Sequence, residues 1–148
     1  MIKQKSSIRM TLWIGRSIAV LVFLLLPVMP RILDWYARVR PLVDSARYAI
    51  SVGFYLCVPA VLLSLRTLDR LLLNILKEQV FTSDNVCLIR RIRNCCAVVS
   101  LICLPAAWFY PPLIFLSVIM AFLALVVGVV KNVMAAAVEL REENDLTI

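Results

Sequence analysis

Three stretches of the chain are almost free of charge, and they set its organisation. From Thr11 to Pro30 the one charge is Arg16; from Tyr48 to Leu65 there is none; from Asn94 to Val130 there is again none, although Tyr110-Pro111-Pro112 interrupts the run. A bilayer core of about 30 Å takes roughly 17–25 helical residues. The first two runs therefore predict one span each. The third is too long for a single span, and its consecutive prolines, which lack backbone donors and restrict the residue before them, turn it into a pair. The expected architecture is an all-α integral membrane protein: a single domain, 1–148, with four transmembrane helices bundled at about 11–29, 48–65, 94–109 and 113–130.

The polar connections differ in character. The segment Arg31–Arg47 is too polar to cross a membrane and too short for a domain. Ile32, Leu33, Tyr36 and Val39 allow it a short interfacial helix. Trp35, Tyr36, Tyr48, Trp108 and Tyr110 suit a headgroup belt at that end. In segment 66–93, Leu68, Leu71, Leu72, Ile75 and Leu76 recur at helical spacing, with Asp69, Arg70, Lys77 and Glu78 off their face. Thr82 or Ser83 can then cap a second helix, with Asp84 and Asn85 in its first turn. Val86, Ile89 and Ile92 share one face of it, and Arg90, Arg91 and Arg93 lie elsewhere. This predicts a helical hairpin between spans two and three. The tail, 131–148, continues span four as Lys131–Val138 and ends in an acidic cluster.

Basic residues assign the sides. With the N-terminus inside, Lys3, Lys5, Arg9, Arg16, Arg66, Arg70, Lys77, Arg90, Arg91, Arg93, Lys131 and Arg141 are cytoplasmic, 12 in all, against the 4 outer residues Arg31, Arg38, Arg40 and Arg47. The positive-inside bias thus predicts both termini and the hairpin in the cytoplasm, in a multi-pass protein of the cell membrane. Arg16 lies near the inner end of its span, from which its head can snorkel to the interface. The first run ends Leu26-Pro27-Val28-Met29-Pro30-Arg31, without a small-x-small cleavage site, so it is expected to be a retained anchor.

Composition narrows the class further. The chain is 63% hydrophobic and 17% charged, where soluble domains run about 45–50% and about 25%. Soluble and disordered classes are therefore excluded. The net charge of +7 reads as topology and as contact with anionic lipid headgroups, not as direct binding of nucleic acid.

Candidate chemistry is sparse. The five cysteines, Cys57, Cys87, Cys95, Cys96 and Cys103, form no C-x-x-C, and histidine is absent. Zinc sites and thiol oxidoreductases need such ligands or pairs. Adjacent Cys95 and Cys96 point about 100° apart on a helix. No metal, cofactor or catalytic residue is expected, and the chain reads as a non-enzyme. No Asp, Glu, Lys or His lies near a span centre, which argues against proton-coupled exporters. Pro59 and Pro105 predict kinks and, between spans two and three, the cavity of a small transporter or channel as an alternative function. Ala121, Ala124 and Gly128 give span four a small-residue stripe for bundle packing or for a homo-oligomer.

The distinctive sequence lies outside the spans. Ile75–Ile92 reads ILKEQVFTSDNVCLIRRI, and the chain ends ELREENDLTI. Together these resemble a large bacterial family of small four-span membrane proteins catalogued only as a domain of unknown function, with a "PFT-x-x-N-V-x-x-L-R-x-I" stretch after span two and a close relative of "EENDLTI" at the end. Val80 stands where that stretch has proline, and Ile89 where it has leucine. The resemblance covers the whole chain in span number and order. It implies no enzyme activity, and gene neighbourhood in the family implies a small helix-turn-helix regulator as a partner class. The expected function is regulatory: a cytoplasmic surface of Phe81, Thr82, Asp84, Asn85, Arg90, Arg91 and Arg93, with Glu142, Glu143, Asn144 and Asp145 of the tail, presented to a protein partner.

Overall fold

In the computed structural model the described residues are 2–39 and 43–146, with side chains from Ser7 onward apart from that of Asp145. Four helices account for nearly all of them: α1 (Ile2–Val39), α2 (Asp44–Leu76), α3 (Ser83–Phe109) and α4 (Leu113–Leu146). Each is long and apolar enough to cross a membrane. At 1.5 Å per residue the 34 residues of α4 extend about 50 Å, well beyond a hydrocarbon core of about 30 Å. The helices therefore carry their polar ends past the membrane as continuous helix.

Burial is inverted relative to a soluble protein. In the apolar windows of α2 and α4 only 6% of residues are buried within the chain, while Trp108 is 89% exposed and Phe115 73%. The accessible surface is 10702 Å², against about 7,600 Å² for a compact soluble chain of this mass. Water does not tolerate so much contiguous apolar surface, and lipid does. This is a multi-pass membrane protein.

The helices pack in series. Among the described residues, α1 lies on α2, α2 on α3 and α3 on α4, with no close backbone approach between non-consecutive helices. The interior belongs mainly to α3, where Asn85, Ile89, Cys95, Val99, Ser100, Cys103 and Ala106 are buried. Many of these are small, which lets neighbouring backbones come close. A Cβ at Gly53 of α2 would sit 3.9 Å from that of Ala106. Between α3 and α4, Ser100 Oγ donates to Ser117 O and Ser117 Oγ to Ser100 O, both at 2.9 Å. Both serines are buried.

The first connection differs from its expected form. In place of a loop over Arg31–Arg47, α1 runs without a break to Val39, through Pro27 and Pro30. A proline inside a helix leaves the carbonyl four residues earlier without its N–H partner. For Pro30 that carbonyl is Leu26 O, and the Tyr55 hydroxyl of α2 donates to it at 3.1 Å. Asp34 and Arg47 then form an ion pair across the two helix ends. The segment expected as an interfacial helix is thus the last turns of α1. Arg40 lies outside the described residues.

The same end of the molecule gathers the C-terminus of α1 and the α3–α4 turn, where the Tyr36 and Tyr110 hydroxyls meet at 3.2 Å. The opposite end holds the beginning of α1, the 77–82 connection and the end of α4. There Arg16 Nε donates to Asp69 Oδ2 at 3.3 Å, so Arg16 is tied to α2 by an ion pair while its side chain stays exposed.

Candidate functional site

The site expected from sequence lies where α2 ends, α3 begins and α4 ends. Its turn is built by backbone rules. Gln79 N–H donates to Asn74 O and Glu78 N–H to Ile75 O, both at 3.1 Å. This is the paired pattern of a Schellman stop. It needs a left-handed residue, and Glu78 supplies it at φ 64°, a region in which glycine is the easier occupant. Thr82 then takes the cap position of α3 in extended conformation, but its hydroxyl makes no capping bond.

Asn85 holds this turn together from inside. It is 0% exposed. Its Nδ2 donates to Gln79 O at 2.7 Å and Val80 O at 2.8 Å, and its Oδ1 accepts from Asn74 Nδ2 at 2.8 Å. Two carbonyl acceptors fix which end of the amide is which, because only the NH₂ can face them. Asn85 is thereby removed from the partner surface to which its sequence assigned it. It holds the turn from within, tying α2 and residues 79–80 to the start of α3. Asn74, its counterpart on α2, carried one signal in the sequence: an amide within the leucine-rich run 68–76.

Two shallow grooves flank the first turns of α3. One, of about 440 Å³, opens against α2 and is lined by Arg70, Lys77, Asp84 and Arg91 together with Asn74 and Cys87. Three cations face one anion there, so the groove is electropositive. The other, of about 310 Å³, opens against α4 and brings Arg90 together with Glu139 and Glu142, beside Ser83, Cys87 and Val138. The acidic tail is thus the helical end of α4, lying along the start of α3. Acidic residues are unfavourable at the C-terminus of their own helix. The neighbouring N-terminus of α3 and Arg90 offset this.

The remaining expected residues divide. Phe81, Asp84, Arg90, Arg91, Glu142, Glu143 and Asn144 are exposed, and Thr82 is half-buried. Arg93 is also half-buried: it donates to Asn94 Oδ1 at 3.0 Å, and a Cβ on Gly128 would lie 3.4 Å from its Cδ. Its stem therefore crosses α4 and stands apart from the grooves. Gly128 is occupied by that contact, which leaves Ala121 as the exposed member of the small-residue stripe. The side chain of Asp145, residues 147–148 and the side chains of Lys3 and Lys5 lie outside the described residues.

At the α2–α3 interface, expected to hold a cavity, Gly53 comes close to Ala106 and Cys103 is buried. A groove of about 530 Å³ lies instead between α1 and α2. All five cysteines are free, and no group of metal-ligating side chains exists among the described residues.

A family model described as "Protein of unknown function (DUF2975)" matches residues 35–148, from the last turns of α1 to the tail. No curated protein and no solved structure matches the chain.

Proposed function

Since this chain belongs to the DUF2975 family, whose function is unassigned, we propose from its geometry that it is a non-enzymatic membrane protein that presents the hairpin–tail end to a cytoplasmic protein partner. One observation carries the reading. The two stretches of distinctive sequence, 75–92 and 139–148, are about fifty residues apart in the chain, yet Arg90 and Glu142 line one groove. The spans between them supply packing groups such as the buried Ser100, Cys103 and Ser117. A helix-turn-helix regulator is the partner class we favour, and the electropositive groove beside Arg70, Lys77 and Arg91 suits an acidic helix or loop on it. The excess of basic residues at this end supports a cytoplasmic orientation.

Co-purification after mild detergent extraction tests the proposal. Full-length protein is expected to retain a partner that is lost both on deleting 142–148 and in Arg91→Glu. Identical partner lists for the three proteins would remove the role of this surface.

A further inference from the structure

We infer that the groove between α1 and α2 is a binding site for one anionic phospholipid, with the phosphate at Arg16 and Arg66 and an acyl chain along the apolar walls. The inference is independent of any protein partner. At one end the groove carries Arg16, Arg66 and Asp69. Asp69 pairs with Arg16, and among the described residues Arg66 has no acid within ion-pair distance. The polar end therefore keeps one uncompensated positive charge. Beyond it the walls are apolar: Val20 and Phe23 from α1, Pro59, Leu62 and Leu63 from α2.

Dimensions agree with an amphiphile. Phe23 is seven residues past Arg16, and Pro59 seven before Arg66, so the apolar slot runs about 10 Å from the charged end. Gly15 is buried at the charged end, and a Cβ there would meet Asp69 Oδ1 at 3.6 Å. Asp69 thus lies close against α1 at Gly15, within ordinary contact distance. The charged end sits where the apolar run of α2 stops at Leu65, which is headgroup depth. An anion with a hydrocarbon tail satisfies both parts of the site; a zwitterionic lipid leaves the excess charge uncompensated.

The test uses the full chain in nanodiscs of mixed phosphatidylglycerol and phosphatidylcholine, with retained lipid counted by native mass spectrometry. One phosphatidylglycerol per chain is expected, preferred about fivefold, the effect of one basic residue at a membrane surface. Arg66→Gln should abolish the preference, Arg141→Gln should leave it intact, and Ala19→Phe, which fills the slot, should abolish retention itself. Far-ultraviolet circular dichroism matching that of the parent chain reports that each variant is folded. Equal retention of the two lipids, an unchanged preference in folded Arg66→Gln, or displacement of the lipid by millimolar inorganic phosphate would overturn the assignment.

Discussion

Asn85 shows how much of this protein's specificity rests on single polar atoms. Its amide joins α2, the turn and α3 through three side-chain hydrogen bonds in a space closed to solvent. Asn85→Asp keeps the shape but replaces the donor with a carboxylate facing two carbonyl oxygens. Leaving buried polar groups unsatisfied costs about 1–3 kcal/mol each, so a loss of more than 2 kcal/mol in a detergent unfolding titration is expected. A change within about 0.5 kcal/mol would mean that the turn is held otherwise. Glu78 offers the converse case. Its left-handed φ predicts that Glu78→Gly is more stable than Glu78→Ala by about 1–2 kcal/mol, as read in the same titration. The sequence made Asn85 look like a surface residue because Ser83, Asp84 and Asn85 all suit a helix start. Which of them turns inward depends on Asn74 and on the carbonyls of residues 79 and 80, which no local pattern reveals.

At the scale of the element, pairs of helices are joined by polar groups that satisfy one another within lipid. The reciprocal Ser100–Ser117 bonds predict a cost of about 0.6–1.7 kcal/mol for Ser100→Ala. Adding Ser117→Ala should cost about as much again, because each hydroxyl donates to the other residue's backbone carbonyl, which the first substitution leaves in place. A double-mutant cycle in which the second substitution costs nothing would show instead that the two hydroxyls act as one unit through their 3.2 Å contact. The Tyr55 hydroxyl and Pro30 form a sharper pair. Tyr55→Phe leaves Leu26 O unpaired and should cost about 1 kcal/mol. In a Pro30→Ala background the restored backbone N–H takes that carbonyl, so the cost of Tyr55→Phe should vanish. Helix number and the turn between α3 and α4 were readable, because hydropathy and the Tyr110-Pro111-Pro112 break are local signals. The continuation of α1 through Pro27 and Pro30 was not, since what makes a proline tolerable here is a hydroxyl on another helix.

Across the whole molecule, serial packing divides the polar groups between two ends. One end is closed by Asp34 with Arg47 and Tyr36 with Tyr110. The other holds the Arg16–Asp69 pair, the Asn85-centred turn and the two grooves beside α3. The sequence already placed the hairpin and the tail on one side through the count of basic residues. Their meeting along α3 and α4 follows from the antiparallel packing of these two helices, a tertiary fact. The central claim, that this meeting forms one surface turned to the cytoplasm, has a native reporter in Cys87, which is exposed and lines both grooves. In a variant with Cys57, Cys95, Cys96 and Cys103 replaced by alanine, a membrane-impermeant thiol reagent should label Cys87 in inverted vesicles and not in intact cells. Tyr48→Cys at the opposite end should give the reverse pattern. Labelling of Cys87 from outside intact cells would contradict the orientation and, with it, the proposed surface.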